Sequence, residues 1–391
     1  MIGRKQIVIL GCLLMIGLAG LCGCGSPSSD SMERVGTEAD HAADMPGGLT
    51  YESSMELQYA KNFSVDDYEG GYKILKTMDG TQILVVPEEK EVPDGIGKDV
   101  VVVKQPVKNL YVVSSSIMDI FSKLDAMDAI RLSGQKEEDW YVQDAKDAMA
   151  RGDILYAGKY SKPDYELIVS ENCSLAIENT MITHSPEVSE MLADFDIPTM
   201  IEYSSYESHP LGRVEWVKFF GALIGKDELA QKIFNEEVRL VDEVTSVEKT
   251  DKTVAFFYVT SNGLIQVRSS SDYVPKMISL AGGNYIPTNI GDPDSKRSTV
   301  SMQIEDFYDQ AKDVDFIIYN SSIDGGIGFV QELLDKCAVL KDFKAVKEGN
   351  VWCTTNDMYQ QSMSIGYLIH DMHAMLQGKD QDEMTYLFHV E

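Results

Sequence analysis

Short apolar strands and amphipathic helices alternate twice along the chain, on either side of one long helical segment. In the first set, a strand pattern at residues 110–113 leads into a helical pattern at 117–124, and the alternation continues to residue 224. The second set occupies residues 254–376. Such alternation is typical of a mostly parallel sheet covered by helices on both faces. Because 391 residues exceed one ordinary core, we predict two α/β lobes.

The segment between the two sets, residues 226–249, carries the longest helical pattern, with apolar residues three and four positions apart. About 20 residues rising 1.5 Å each give a rod of about 30 Å, the width of a small domain. We therefore predict one long, rigid helix that bridges an N-terminal lobe at 61–225 and a C-terminal lobe at 250–391, with a ligand cleft between the lobes. A hairpin around the turn Asp79-Gly80 is predicted at the start of the first lobe.

The first residues have the pattern of a secretory signal. Arg4 and Lys5 precede fifteen uncharged residues, a run shorter than the about twenty residues that span a bilayer. The run ends in Leu21-Cys22-Gly23-Cys24, which resembles the lipobox of bacterial lipoproteins. That resemblance implies a signal peptide at 1–23 and a lipid on Cys24, which would hold the protein at the outer face of the cytoplasmic membrane. An ordinary secretory signal with incidental cysteines is the alternative.

The segment after the predicted signal peptide is acidic. Residues 24–60 combine Ser, Pro, Gly and acids and lack an apolar period before about Met55, which predicts a flexible tether. Over the whole chain, Lys and Arg number 34 against 63 Asp and Glu, a net charge of −29. Binding to a phosphate backbone depends on Lys and Arg that displace counterions. We therefore expect no nucleic-acid partner, and contact with the membrane through the lipid anchor only.

Enzyme motifs are not found in the sequence. It contains no Gly-x-Ser-x-Gly, His-Glu-x-x-His or Gly-x-Gly-x-x-Gly. His370 and His373 lie one helical turn apart, but a metal would need a further ligand from elsewhere. Cys173, Cys337 and Cys353 include no Cys-x-x-Cys pair, so a disulfide framework or structural zinc site is not predicted, although one bridge remains open. We expect a protein that is not an enzyme, without an intrinsic cofactor.

Several local stretches resemble one family. Together with the lipobox, the acidic tether and the bridged halves, they resemble the solute-binding lipoproteins of ABC importers for iron-siderophore, haem and cobalamin, the class III family with a helical backbone. The resemblance covers about residues 100–376. Its most specific stretches are Tyr160-Ser-Lys-Pro-Asp-Tyr-Glu166, Glu207-Ser-His-Pro-Leu-Gly-Arg213-Val-Glu-Trp216, Ala281-Gly-Gly-Asn284, Val300-Ser-Met-Gln-Ile-Glu305 and Gly349-Asn-Val-Trp352.

The resemblance implies a monomer that captures an iron chelate, a siderophore or haem, and delivers it to a permease dimer with its ATPase. A corrinoid of the cobalamin type is the alternative ligand. Glu166 and Glu305 each fall near the start of a predicted helix, where the helix dipole alone would favour an acid. The resemblance implies that this pair, one acid in each lobe, docks on arginines of the permease. An extracytoplasmic enzyme or a sensor using the same cleft is a less favoured alternative.

Candidate ligand residues lie in loops after strands, where loop side chains of both lobes converge. His184, His209 and Met181 could be axial ligands if the ligand is haem, and Arg213 could meet a ligand carboxylate or form a structural ion pair. The loops offer few basic residues, which does not favour a trianionic catecholate. The full candidate set is Ser115, Tyr156, Tyr160, Met181, His184, Tyr206, His209, Arg213, Arg268, Trp352 and Tyr359.

Overall fold

A computed structural model describes residues 46–391 apart from 248, 293–296, 380, 381 and 383. The predicted signal peptide, Cys24 and the tether up to residue 45 lie outside the described residues. Among the helices that are described, none combines the length and the hydrophobicity needed to cross a bilayer.

The described strands are β1 (Tyr51–Ser54), β2 (Phe63–Tyr68), β3 (Tyr72–Thr77), β4 (Gln82–Val86), β5 (Val100–Lys104), β6 (Leu110–Val112), β7 (Ile130–Ser133), β8 (Leu155–Tyr156), β9 (Gly158–Lys159), β10 (Lys162–Pro163), β11 (Leu175–Glu178), β12 (Thr199–Ile201), β13 (Thr253–Val259), β14 (Ile265–Arg268), β15 (Asn284–Ile286), β16 (Thr299–Met302), β17 (Phe316–Tyr319), β18 (Val351–Thr354) and β19 (Leu387–His389). The described α-helices are α1 (Ser115–Lys123), α2 (Gln143–Arg151), α3 (Tyr165–Ser170), α4 (Pro186–Asp194), α5 (Pro210–Ile224), α6 (Asp227–Thr245), α7 (Tyr273–Leu280), α8 (Ile304–Ala311), α9 (Val330–Lys336), α10 (Lys344–Lys347) and α11 (Ile365–Leu376).

The N-terminal lobe is built on a parallel sheet with strand order β12-β11-β6-β7-β8. Strands β6 and β11 are buried along their whole length, which is why they consist almost entirely of apolar residues. Apolar clusters lie on both faces of this sheet. The segments that follow β6, β11 and β12 begin at its carboxyl edge, and they carry the candidate residues of this lobe other than Tyr156 and Tyr160.

The C-terminal lobe has a second, separate sheet, with strand order β16-β14-β13-β17-β18-β19 and β15 beside β13. Its centre is parallel, whereas β14, β16 and β19 pair antiparallel. The predicted architecture of two α/β lobes is therefore confirmed, with a more mixed sheet in the second lobe. Trp352, one of the candidate ligand residues, lies within β18 and is therefore part of this sheet and not of a loop.

The bridging helix is α6, whose 19 residues begin one position after the predicted start and end four before the predicted end. It packs against α5 of the first lobe and against α11 of the second lobe. Glycine permits both close approaches. A Cβ on Gly221 would collide with Ala230, and a Cβ on Gly366 would lie 2.8 Å from the Glu237 carboxylate. The two lobes are thus fixed to one helix on both of its sides.

The predicted tether ends earlier than expected. It was expected to continue to residue 60, but β1 lies inside that range and pairs with β2, at the edge of a five-stranded sheet β1-β2-β3-β4-β5. Strands β3 and β4 form the predicted hairpin. One face of this N-terminal sheet packs on α5, where the Phe63 ring centroid lies 4.9 Å from Trp216 and 5.4 Å from Phe219.

Two buried carboxylates hold the chain between β1 and β2. Glu215 accepts hydrogen bonds from the backbone amides of Gln58, Tyr59 and Ala60 at 2.8–3.1 Å. Glu207 accepts from the amides of residues 61 and 62 at 2.9–3.1 Å. The segment 58–62 has no apolar period, and it is ordered by acidic side chains 145 or more positions away that bind its backbone amides.

Candidate ligand cleft between the lobes

A wide cleft lies between the lobes and has a volume of about 1160 Å³. Its N-terminal wall comes from the loops after β11 and β12, and its C-terminal wall from Gln266 and from residues just before and within β16. Met181 and His184 are exposed on the first wall, and Tyr206 is half-buried beside them. Three predicted ligand residues therefore meet in one cleft.

The chemistry of this cleft is dominated by hydroxyl groups. Tyr206 is the one Tyr, Phe or Trp among its described lining residues, Asp292 is the one acid and Arg297 is the one Arg or Lys. A hydroxyl can donate and accept a hydrogen bond, so such walls suit a hydrophilic ligand with mixed donors and acceptors. The aliphatic hydroxyls are those of Thr180, Thr183, Ser205, Ser298, Thr299 and Ser301.

A second, much smaller cavity lies in the interface between the two lobes. We call this interface the seam, and the cavity the seam cavity. Its volume is about 30 Å³, room for about two water-sized groups. The turn Ser204–Tyr206 borders both spaces, because Ser204 lines the seam cavity and the next two residues line the open cleft. The seam cavity is lined by Ser116, Ile120, Ser204, Arg213, Tyr273, Met358, Tyr359, Gln361, Ser362, Ser364, Ile365, Leu368 and Tyr386.

Helix α5 brings Arg213 to the seam. The guanidinium lies 4.1 Å from the ring centroid of Tyr273 in the other lobe, and its Nη1 donates to the Ser205 carbonyl at 3.1 Å. Among the described residues, no carboxylate lies within ion-pair distance of Arg213. The structural ion pair considered for this residue is therefore not present, and its charge faces the seam.

The Arg268 guanidinium is bound by other side chains of the protein. Its guanidinium binds both carboxylate oxygens of Asp272 at 2.8 Å and donates to the Tyr359 hydroxyl at 3.2 Å. Asn320 donates to the same hydroxyl at 2.9 Å. The Arg268 side chain is 9% exposed and lines neither cavity. Arg268 therefore forms a buried ion pair and positions Tyr359, and its contact with ligand stays a prediction.

A segment of the C-terminal lobe, residues 355–364, reaches across the seam. The side-chain amide of Gln360 donates through Nε2 to the Asp139 backbone carbonyl at 2.8 Å, and its Oε1 accepts from the Tyr141 backbone amide at 2.7 Å. The Ser362 hydroxyl donates to the Ser116 carbonyl at 2.6 Å. These contacts close the seam on the side where α1 begins, so the wide opening lies on the side of His184 and β16.

Buried acids complete this closure. Asp119 accepts from the Met363 amide at 2.7 Å, and burial raises the pKa of Asp119 to about 6. Glu237 accepts from the Gly366 amide at 2.7 Å, and burial raises the pKa of Glu237 to about 7. Asp119, from the first lobe, binds the 3₁₀ turn Ser362–Ser364 that precedes α11. Glu237, from the bridging helix, binds the first turn of α11, where free amides and the helix dipole favour an acceptor.

Two further candidates have structural roles. His209 caps α5, because its Nδ1 accepts from the Leu211 amide at 3.2 Å, and its ring stacks on Tyr59 with centroids 4.5 Å apart. Burial lowers the pKa of His209 to about 4. Trp352 is 7% exposed in the core and meets the His389 ring edge-on at 5.2 Å. His209 therefore caps a helix and Trp352 lies in the core, and neither lines the open cleft or the seam cavity. Their ligand roles stay predictions.

The remaining candidates are placed as follows. Tyr359 lines the seam cavity, as does Ser116, the neighbour of the candidate Ser115. Tyr156 is exposed on the short strand β8, and Tyr160 packs against the apolar cluster of the first lobe, so neither lines the two cavities described above. The cysteines at 173, 337 and 353 are free thiols, and the optional bridge is not formed.

Glu166 and Glu305 both lie in the first turn of a helix, at α3 and α8, and both are exposed. Neither forms an ion pair within the described part of the chain. The placement expected from the sequence is therefore present in each lobe.

The sequence reasoning missed the C-terminal wall of the open cleft. This wall is formed around β16, whose residues Thr299–Met302 pair with β14. The stretch Thr-Val-Ser-Met is too short and too polar for a strand pattern. Gly291, with a φ of +84°, sits so close to Ser269 that a Cβ would approach its Oγ to 2.6 Å. A lone glycine in a loop carries no pattern that would have revealed this packing.

Comparisons with known proteins support the fold. No family model matches the chain. An uncharacterised lipoprotein of Methanocaldococcus jannaschii is 23% identical over 388 residues, covering 91% of this chain and 89% of that protein.

Two solved structures share the architecture. An ABC transporter substrate-binding protein from Listeria monocytogenes aligns with a TM-score of 0.52 and 17% identity, covering 69% of this chain and 98% of that one. The periplasmic heme binding protein HutB of Vibrio cholerae aligns with a TM-score of 0.55 and 13% identity, covering 67% and 97%. The chain therefore has the two-lobe fold of periplasmic substrate-binding proteins. About a third of it lies outside these two alignments.

Proposed function

We propose that this chain is an extracytoplasmic, lipid-anchored substrate-binding protein that captures an iron chelate and delivers it to an ABC permease. The observation that carries the proposal is the cleft of about 1160 Å³ lined by both lobes, which are fixed to one bridging helix. A cleft between two lobes is a common place for small-molecule binding. The relatives described as lipoprotein and as transporter components support the same role.

The lining of the cleft favours a hydrophilic ferric siderophore over haem. Met181 and His184 lie three residues apart in one short 3₁₀ helix, so they share a wall. A haem iron held by two protein side chains needs them on opposite faces of the ring. The described residues of the opposite wall include no His, Met, Cys or Tyr. A corrinoid remains the alternative ligand.

The docking role of Glu166 and Glu305 belongs to the same proposal. Two exposed acids on separate lobes can both find basic partners only when the lobes are correctly arranged. Charge complementarity of this kind sets orientation and association rate more than affinity. The acids therefore allow the permease to recognise the lobe geometry of the loaded protein.

A binding screen tests the proposed function. Purified full-length protein is titrated with ferric hydroxamate and catecholate siderophores, haem and cobalamin, while absorbance and tryptophan fluorescence are recorded. We expect saturable binding of a ferric siderophore without turnover. Binding of none of these chelates, or formation of a product, contradicts the proposal.

Docking is tested separately by uptake into vesicles that contain the cognate permease and ATPase. The double variant Glu166→Lys with Glu305→Lys should keep its ligand affinity and abolish uptake. The matched control is Glu190→Lys with Glu348→Lys, which makes the same charge change at one exposed acid in each lobe. Equal uptake by the two double variants contradicts the docking role.

A further inference from the structure

The seam cavity contains a guanidinium that forms no ion pair among the described residues. Arg213 is the one charged side chain among its described lining residues. Its guanidinium stacks on Tyr273 and donates one hydrogen bond, to a neutral carbonyl. A guanidinium presents five N–H donors and stays protonated at any physiological pH. Several of its donors are therefore not used by the contacts that the structure gives it.

Two acids that lie close to the lining residues along the chain, Glu202 and Asp272, are engaged elsewhere. Asp357, next to the lining residue Met358, forms no ion pair with Arg213 among the described residues. Glu202 accepts from the Ser114 hydroxyl at 2.8 Å and from the Ser204 amide at 2.8 Å. Asp272 is held by both arms of Arg268. None of them pairs with Arg213 in the described part of the chain.

A second, independent feature lies in the wall of the same cavity. The hydroxyl of Ser204 is buried and has no hydrogen-bond partner among the described residues, and the residue is 3% exposed. A buried polar group without a partner loses its hydration without replacement, which costs about 1–3 kcal/mol. Because Ser204 lines the seam cavity, a ligand atom there would give it a partner.

Tyr359 adds a third donor. Its hydroxyl already accepts from Arg268 at 3.2 Å and from Asn320 at 2.9 Å. A phenol oxygen carries one proton of its own. With its acceptor positions taken by the two donors, that proton remains free to donate, and Tyr359 is one of the lining residues of the cavity.

We propose that the seam cavity is an oxyanion subsite in which Arg213, Ser204 and Tyr359 donate to one carboxylate or small inorganic oxyanion. The inference rests on the proposed function, because the subsite lies between the same two lobes and borders the open cleft at the turn Ser204–Tyr206. A space of about 30 Å³ holds an acid group and not a chelate. The body of a chelate occupies the open cleft while its carboxylate enters the seam cavity.

Calorimetric titration of the full-length chain tests the subsite, with two kinds of probe. One arm uses inorganic sulfate, phosphate and molybdate in a chloride buffer. The other arm compares ferric citrate, which carries carboxylates, with a ferric hydroxamate that carries none. Binding in the first arm identifies a free oxyanion as occupant, and binding only of ferric citrate identifies a carboxylate on the chelate.

The variants are Arg213→Gln and Ser204→Ala, with Arg239→Gln as the control on an exposed helix face. Hydrogen bonds to a charged group predict that Arg213→Gln weakens binding about 10- to 100-fold and Ser204→Ala several-fold. The Arg239→Gln control should bind as the wild type does. Ser204→Ala removes a hydroxyl that has no partner, so it tests binding without breaking an internal hydrogen bond.

The outcomes separate the subsite from the wider function. If a chelate binds and both seam variants leave every affinity within twofold, the subsite is wrong and the proposed function stands. If no chelate binds, but an inorganic oxyanion binds in a manner that depends on Arg213 and Ser204, the subsite stands and the chelate function is wrong. Failure of every anionic probe to bind overturns the subsite.

Discussion

Replacing Glu215 should release the N-terminal sheet from the body. The Glu215 side chain is fully buried, where it binds three backbone amides and the Lys218 ammonium at 2.8 Å. Lys218 is itself 3% exposed and lies 4.2 Å from the Phe234 ring centroid. Glu215→Ala therefore leaves a buried cation and three amides without their acceptor.

The magnitude follows from the buried ion pair. Removing one partner of such a pair costs about 3–5 kcal/mol, because the remaining charge is left uncompensated. Glu215→Gln keeps the shape and one acceptor, so we expect a smaller loss of about 1–3 kcal/mol. The control Glu243→Gln, at an exposed ion pair with Arg239, should change the free energy of unfolding by less than about 1 kcal/mol.

Urea denaturation measures the free energy of unfolding, and hydrogen exchange locates the change. In Glu215→Ala, the amides of residues 58–60 should lose protection before those of the two central sheets. The reasoning is refuted if the loss is below about 1 kcal/mol and these amides exchange as slowly as in the wild type. In that case the packing of Phe63 on α5, rather than the carboxylate, holds the segment.

Two further predictions concern single side chains. Burial raises the pKa of Glu178 to about 8, so the folded chain keeps a proton that the unfolded carboxyl releases near pH 4.3. The free energy of unfolding should therefore fall as pH rises from about 5 to 8, by up to about 1.4 kcal/mol per pH unit. Glu178→Gln should remove this part of the slope, and parallel curves for variant and wild type would contradict it. His209→Ala should cost about 1 kcal/mol through the lost cap, whereas His209→Asn keeps an acceptor there. Both His209 variants should bind ligand normally in the chelate screen, and a selective loss of binding would restore a ligand role to His209.

The alternation of strands and helices was predictable because burial on both faces makes the strands apolar. The helical pattern predicted at 117–124 corresponds to α1, and the bridging helix begins one residue after its predicted start. Strand β2 was not predicted because it contains Asp66 and Asp67. The carboxylate of Asp66 is nevertheless buried, where it pairs with Lys76 at 3.2 Å and accepts from Ser54 at 2.5 Å. These partners lie on neighbouring strands, so the local sequence does not reveal them.

The site was predictable only in part. Met181, His184 and Tyr206 follow parallel strands, and the topology alone brings such loops together at one edge of a sheet. Whether a polar side chain faces a ligand or the protein depends on distant partners. His209 serves as a helix cap and Arg268 as half of an ion pair because of side chains and amides that meet them in the fold. No local pattern distinguishes these roles from ligand binding.

The claim that both lobes hold one ligand is tested most directly by hydrogen exchange of the full-length protein with and without a saturating chelate from the screen. The account predicts slower exchange at both walls of the open cleft, in residues 180–184 of the first lobe and 298–301 of the second. Protection confined to one lobe, or to the N-terminal sheet, would contradict it.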